Sequence, residues 1–548
     1  MRPTHRPNVM SLFLVTPLVL AILAAPAAAD LNDYGLAADP LQDTAFSRFL
    51  SADGLYYVQD NGGNTGFNYW WMAHGLDSLI DAYQRTRNAT YLTRAKNLLH
   101  GARTRNGNTF NNSFYDDMEW MGLATLRAYD ITGDTEYLTA ADGLWTQIKT
   151  GFSGGLISWN TSCHPSCKNT IGNTPAIILG ARLSARGRIS AADLTMIETM
   201  YGNVKASLVD PATGAVWDGK DLSTGTTNKS TFSYNQGMYI GAALELYKIT
   251  GNATYMADAK KTADRALTSN TVSGMLYANE TGGGDGGLFK GILVRYLALL
   301  AREGAIPDAD RTRYIAAIKH NANVLHGRGV LRPAMLAGPN WSVVSGAVTD
   351  YSTQLSGVFL EEAAAIIDDP VVYRDFNYAG AWSSLPPGRY TIAQLAARGV
   401  RDNDITSITV PPGWTVTMFE NDNFTGASLV RTANDNFLSG GAWTDRVSSL
   451  IVTAPAAAAT ALTAYQNCNF TGYSVSLLPG SYDMFALQDQ GIPNDDISSF
   501  QLAAGNRVTL FGDFNLTGTS LVATATDSCL VDNAFNDSAS SLRIDAAP

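Results

Sequence analysis

A chain of 548 residues, 45% apolar and 16% charged, is too long for one ordinary domain and too apolar for disorder, so two to four packed domains are expected. Its formal charge of -11, without any Lys/Arg-rich stripe to release counterions, argues against nucleic acid as a partner. Abundant Gly (50), Tyr (24) and Trp (10) beside so few charges suit an extracellular protein with many loops.

The chain opens "MRPTHRPNVMSLFLVTPLVLAILAAPAAAD", with Arg2 and Arg6 before an apolar run from about Val9 to Ala25 and a close on Ala27, Ala28 and Ala29. That order is a secretory signal, residues 1–29, so the protein is expected to be secreted. Losing two arginines and no acid moves the charge from -11 to about -13. A membrane anchor is the weaker reading: the run is short, and no later stretch approaches the roughly 18 apolar residues a span needs.

From about Pro40 to Asp368 the pattern is helical. About twelve amphipathic runs start near Leu41, Tyr69, Ala89, Tyr115, Asp134, Asn169, Ala191, Tyr234, Ala253, Gly286, Ala309 and Tyr351. A phrase recurs between some of them: "RTRNATYLTRA" at Arg85, "ITGDTEYLTAA" at Ile131 and "ITGNATYMADA" at Ile249. Each reads as a tight turn between two helices, and the repetition gives a helix-hairpin unit. Six hairpins can close into an all-α (α/α)6 barrel, residues 30–368, whose loops at one rim surround a cavity. An open α-solenoid fits the same count.

Within this region "SFYDDMEW" spends three acids and three aromatics on eight residues, Ser113 to Trp120. One reading makes Asp116 a helix N-cap, Glu119 the other half of a capping box and Asp117 a complement to the helix dipole. It needs no adjacent pair. Neighbours on a helix point about 100° apart, so both carboxylates reach one cavity only where a helix begins. Two close carboxyls cannot both ionise freely, and one then holds a proton while the other stays anionic, the division glycosidic cleavage requires. Adjacency favours a retaining enzyme, whose carboxyls stand about 5–5.5 Å apart.

Further phrases suit a sugar cleft: "NYWWMAHG" at Asn68, "GGLISWN" at Gly154, "CKNTIGNTPAIILGARL" at Cys167, "AVWDGKD" at Ala215, "FSYNQG" at Phe232 and "LFKGILVRYL" at Leu288. Together with the aspartates they resemble glycoside hydrolase family 76, the endo-α-1,6-mannanases, over nearly all of Asn32 to Ile366. The resemblance implies an (α/α)6 barrel and retaining hydrolysis of α-1,6-linked mannan, with Asp116 as nucleophile and Asp117 as acid/base. Met118 and Glu119 follow the pair where relatives often carry Asn and a small residue. Trp70, Trp71, Trp159, Trp217 and Tyr234 are candidates for stacking on pyranose faces, core packing being the alternative. Asn169, Asn235, Gln236 and Lys290 are candidates for sugar hydroxyls, and Asp218 and Asp285 are further carboxylates of the cleft.

Four cysteines, Cys163, Cys167, Cys468 and Cys529, suit two disulfides in an oxidising compartment. Zinc is the rival for "SCHPSC", although only His164 stands near and four ligands are needed.

Beyond about Pro370 the pattern becomes β-rich, with turns at "LPPGRY", "PPGW" and "LPGSY". Four phrases, "YRDFNYAG" at Tyr373, "FENDNFTG" at Phe419, "YQNCNFTG" at Tyr465 and "FGDFNLTG" at Phe511, are each answered by a hexapeptide: "DNDITS" at Asp402, "TDRVSS" at Thr444, "NDDISS" at Asn494 and "NDSASS" at Asn536. These pairs resemble βγ-crystallin Greek-key motifs, and four motifs imply two all-β sandwiches, residues 369–453 and 461–548, joined by a linker, 454–460. The resemblance implies Ca2+ clamps, with backbone oxygens of Asp404, Arg446, Asp496 and Ser538 and hydroxyls of Thr406, Ser448, Ser498 and Ser540 as donors; oxygen-only ligands suit calcium generally. Thr444 and Arg446 depart from the pattern. Cys468 and Cys529 fall in the third and fourth motifs, where a bridge ties two halves together. Turn formation alone also explains such Asx/Ser clusters.

The expectation is therefore a secreted, monomeric endo-α-1,6-mannanase acting on α-mannan, needing no cofactor for catalysis and carrying calcium-binding modules. Two alternatives are a mannan transglycosylase of the same fold and a non-catalytic, calcium-dependent glycan-binding protein.

Overall fold

The computed structural model describes residues 34–547 except 270, 272, 273, 278, 304, 368, 379, 412, 455–459 and 491. The expected signal, 1–29, and most of the expected linker lie outside the described residues.

Twelve α-helices precede the β region among the described residues: α1 (Tyr34–Phe49), α2 (Tyr69–Thr86), α3 (Ala89–Arg105), α4 (Tyr115–Thr132), α5 (Thr135–Ile148), α6 (Thr174–Ser184), α7 (Ala191–Leu208), α8 (Ser233–Thr250), α9 (Ala253–Thr268), α10 (Phe289–Ala301), α11 (Asp308–Val324) and α12 (Tyr351–Ile366). Three starts differ from the sequence reading. Helix α1 begins before Leu41 and runs through Pro40, its first turn kept by burial of Tyr34, Ala37 and Ala38. Helix α6 begins after Asn169 because Cys167–Asn169 is a strand paired with Gly219–Asp221. Helix α10 begins after Gly286 because Gly284–Gly287 forms a 3-10 turn.

The recurring phrase has a local cause. Arg87, Gly133 and Gly251 close α2, α4 and α8 in the left-handed conformation. Asn88, Asp134 and Asn252 then cap α3, α5 and α9 by accepting the N–H of Thr90, Glu136 and Thr254. Helix pairs thus alternate between an inner and an outer layer. Helix α8 is buried on nearly every side, whereas α9 buries a stripe of Met256, Ala259, Thr262, Ala263 and Ala266. Helices α2, α4, α6, α8, α10 and α12 pack each against the next, and α12 returns to α2. The ring is closed; the open solenoid is excluded.

At the C-terminal end of this ring the inner helices are tied by charge. Arg127 of α4 meets Asp77 and Asp81 of α2, Arg295 of α10 meets Asp81, Arg182 of α6 meets Glu245 of α8, and Arg85 of α2 meets Glu362 of α12. The first β module rests on this floor: Arg302 lies over the Trp382 ring at 4.4 Å, and Arg87 donates to Ser383 at 3.1 Å.

Each module has two antiparallel sheets. In the first, Val371–Tyr373 lies between Trp382–Ser384 and Ser407–Thr409, while Gly388–Tyr390 crosses to pair with Ser449–Thr453 beside Thr415–Asn421 and Thr425–Arg431. The second repeats this with Gly480–Tyr482 crossing to Ser541–Ala546. The motif phrase follows from its hairpin: Asn423 and Phe424 adopt positive φ, and a Cβ at Gly426 would stand 2.6 Å from the Asn421 side chain. Each module has its own core, around Val416, Met418 and Leu450 in the first and Phe500, Leu510 and Leu542 in the second.

Candidate active site

The N-terminal ends of the inner helices face the opposite rim, where a cavity of about 1110 Å³ opens. Helix α4 delivers both aspartates to it from its first turn. The helix starts at Tyr115 because a loop straps it there: the Tyr115 N–H donates to the Trp159 carbonyl at 3.0 Å, and the Thr161 N–H donates to the Ser113 carbonyl at 2.9 Å. The Cys163–Cys167 disulfide closes that loop, so the pairing wins over zinc. The capping reading fails, since Phe114 occupies the N-cap position without a side-chain bond and Glu119 is fully buried in the barrel.

The two acids differ in surroundings. Asp116 Oδ2 accepts the indole N–H of Trp159 at 3.1 Å, and its Oδ1 is buried without a partner among the described residues. Burial pushes Asp116 up to about 7, opposed by the Trp159 N–H and by backbone N–H groups at the helix start. Asp117 is pushed well above the usual carboxylate range, by burial first and then by the charges of Asp116 and Asp285. Its Oδ2 accepts Asn112 Nδ2 at 3.0 Å. Asn112 is oriented by its own Oδ1, which accepts the Phe114 N–H at 3.0 Å. An amide N–H only donates, so Oδ2 stays an acceptor and the proton of Asp117 sits on Oδ1. As pH rises, the pair therefore passes through a state with Asp116 anionic and Asp117 protonated.

Trp70, Trp159, Asn169, Asp218, Tyr234 and Asp285 line the same cavity. Asp285 Oδ1 accepts the indole N–H groups of both Trp70 and Trp71 at 3.1 Å, and Tyr234 stacks on Phe289 at 3.9 Å. Five candidates act differently from the sequence expectation. Trp71 is buried and reaches the site only through that bond. Trp217 is absent from the cavity wall and its ring lies under the Lys229 ammonium at 4.5 Å. Asn235 is buried and donates to Asp218 at 3.1 Å, holding that carboxylate rather than offering itself to a ligand. Gln236 is consumed by the backbone of Val216 and Phe232. Lys290 is buried against the Trp341 ring at 4.4 Å, its ammonium pushed down to about 7 by burial. For the four on helices the helical period turned the residue inward, while Trp217 lies half-buried in a loop, and no local signal distinguishes a core group from a cleft one. Sequence reasoning missed Asn112 and Phe289; an Asx two residues before a helix N-cap was the available sign for Asn112. His74, buried among Trp70, Trp120 and Phe359, is pushed down to about 3 and is neutral, so it supplies no acid.

In the β modules the hexapeptide hydroxyls face their companion motifs. Thr406 pairs with Asp445, Ser448 with Asn403, Ser498 with Asp537 and Ser540 with Asp495. Those four Asx residues all have positive φ. The Arg446 side chain turns away to Glu420 at 2.7 Å. No group of three or more His, Cys, Asp or Glu able to hold a metal occurs among the described residues. Cys468 and Cys529 are bonded to each other.

The model of glycosyl hydrolase family 76 matches residues 42–330. An α-1,6-mannanase from Salegentibacter sp. HEL1_6 is 43% identical, covering 61% of this chain and 100% of its own, with a TM-score of 0.59. An inactive variant of that mannanase, two adjacent aspartates replaced by asparagine, was solved in complex with α-1,6-mannotriose. The C-terminal part is similar to development-specific protein S of Myxococcus xanthus, 36% identical over 173 residues, 32% of this chain and 96% of that protein. A βγ-crystallin domain from Flavobacterium johnsoniae is 40% identical over 16% of this chain and 94% of its own, with a TM-score of 0.15. With the family model spanning most of the barrel and a mannanase matched along its whole length, the chain belongs to glycosyl hydrolase family 76 and is a glycoside hydrolase.

Proposed function

We propose that this chain is a secreted, retaining endo-α-1,6-mannanase. The observation that carries the reading is the inequivalence of two adjacent acids in one cavity: Asp116 with an N–H donor and a free Oδ1, Asp117 proton-holding. Asp116 Oδ1 attacks the anomeric carbon, the glycosidic C–O bond breaks, and Asp117 gives its proton to the leaving oxygen. Asp117, now a base, takes a proton from water; the water oxygen displaces Asp116 and restores the original configuration. Placement of both acids on one helix turn supports the short separation of about 5–5.5 Å over the 6.5–9.5 Å of inverting enzymes. The Salegentibacter relative, inactive when an adjacent aspartate pair is replaced, supports the substrate class.

Proton NMR of the first product from linear α-1,6-mannan tests this. The α-anomer is expected before mutarotation. A β-anomer overturns retention, and intact polymer overturns the mannanase reading.

The modules are read as calcium-binding, with Thr406, Ser448, Ser498 and Ser540 as hydroxyl donors and the carbonyls of Asp404, Arg446, Asp496 and Ser538 beside them. The all-oxygen donor set supports this, and so does the diversion of Arg446 to Glu420. Calcium at about a hundredfold over its Kd adds about 2.7 kcal/mol per site, so chelation lowers the melting temperature of the modules.

A further inference from the structure

The two β modules share a backbone feature that they finish differently. In the second, the Asn469 N–H donates to the Ser528 carbonyl, Phe500 and Asp527 form a bridge, and the neighbouring Cys468 and Cys529 are joined covalently. In the first, the Asn377 N–H donates to the Asn436 carbonyl at 2.8 Å, and Ile408 and Asp435 form the same bridge. The positions of the two cysteines are held there by Phe376 and Phe437. Their rings do not substitute for the bridge by packing inward: they stand 59% and 42% exposed, centroids 6.3 Å apart and planes at 70°, forming an open corner. Leaving two rings in water has an unfavourable cost that a folding role does not require.

The corner is built rather than loose. Asp435 accepts the N–H groups of Phe437 and Ser439 and the Arg431 guanidinium, which fixes the loop and neutralises the carboxylate. Ring Phe437 rests on Gly441, where a Cβ would stand 2.7 Å from it. Asn436 Nδ2 donates to Asn377 Oδ1 at 2.9 Å, leaving the side-chain Nδ2 of Asn377 and the side-chain Oδ1 of Asn436 to serve a ligand. Phe376, Asn377, Asp435, Asn436, Phe437 and Gly440 line an open cavity of about 550 Å³.

Two apolar faces with an amide donor and acceptor and no net charge suit an uncharged ring that has one apolar face and hydroxyls at its edge. The catalytic cavity pairs the same groups, Trp159 and Tyr234 with Asn169 and Asn112. We propose that the Phe376–Phe437 corner is a second, non-catalytic binding site for pyranose units of the same neutral polysaccharide, independent of calcium. This rests on the mannanase reading. The module sits on the barrel floor, away from the catalytic rim, so the site anchors a distant part of a long chain or a neighbouring strand.

The test uses the full-length chain in native gels containing linear α-1,6-mannan, with EDTA present. The wild type is expected to be retarded, and Phe376→Ala/Phe437→Ala to bind about tenfold more weakly. Phe376→Tyr/Phe437→Tyr keeps the faces and is expected to keep binding. Phe376→Cys/Phe437→Cys, which copies the second module, is expected to fold and to lose binding. Hydrolysis of α-1,6-mannotetraose stays within about twofold in all variants, because the cleft is untouched. Unchanged retardation in the Ala and Cys variants, with tetraose still cleaved, overturns this proposal alone. Failure of the wild type to cleave tetraose overturns the mannanase reading instead.

Discussion

Two buried acids on the floor of the inner helices and two at the mouth are held in opposite states. On the floor, Asp77 is buried, yet it is held below the usual carboxylate range because Arg295 and Arg127 outweigh the burial that raises it. Glu245 is held low in the same way by Arg182. At the mouth, Asp116 and Asp117 have no cation beside them among the described residues, and burial lifts both. The difference shows that burial alone does not set a carboxylate's charge: cations on two sides hold Asp77 low, whereas Glu362, fully buried beside Arg85, is still raised by burial. Paired charges tie the floor helices together, and unpaired acids at the mouth fit the chemistry proposed for them.

Replacing either mouth acid sharpens the contrast most. Asp116→Asn or Asp117→Asn is expected to lower kcat/KM on α-1,6-mannan at least several hundredfold, about 4 kcal/mol, without lowering the melting temperature. Rates measured beside a thermal scan check both halves. The floor should respond the other way. Arg127→Met leaves Asp77 and Asp81 to Arg295 alone and is expected to cost about 2 kcal/mol in denaturant unfolding, with the activity of the folded fraction retained.

Smaller effects follow at the mouth. Activity should rise as pH climbs towards about 7, where Asp116 loses its proton, and fall at higher pH, where Asp117 loses its own. Trp159→Phe removes the N–H that holds Asp116 down, so the acidic limb should move to higher pH while kcat/KM falls about tenfold. An acidic limb that stays in place would break the assignment of Asp116 as the anionic partner. The smallest change concerns Glu119, whose buried carboxyl is raised well above its usual range, chiefly by burial. The unfolded chain releases that proton near the ordinary value and the folded chain holds it, so stability falls as pH rises between the two. Glu119→Gln removes the fall: its melting temperature should match the wild type near pH 4 and exceed it at pH 8.

The modules repeat the lesson on the surface. A cystine closes one and an exposed pair of rings occupies the same place in the other, on nearly the same backbone. Hydrogen bonds and turn chemistry fixed that backbone, leaving the side chains free to diverge.

Much was legible in the linear chain because its causes are local. Helical period, the left-handed caps at Arg87, Gly133 and Gly251, the tandem acids at a helix start and the aromatic-to-Gly hairpins all act within a few residues. The sequence by itself therefore determined the twelve-helix pattern, the change to β structure after Pro370 and the placing of two adjacent acids in the first turn of a helix. Closure of the ring, the strap that brings Trp159 over Asp116, the burial of Trp71, Gln236 and Lys290, and the pairing of Arg446 with Glu420 were decided only in three dimensions. Each depends on which distant groups share a low-dielectric space, and neither residue type nor spacing along a chain encodes what will stand beside a side chain once water has been excluded.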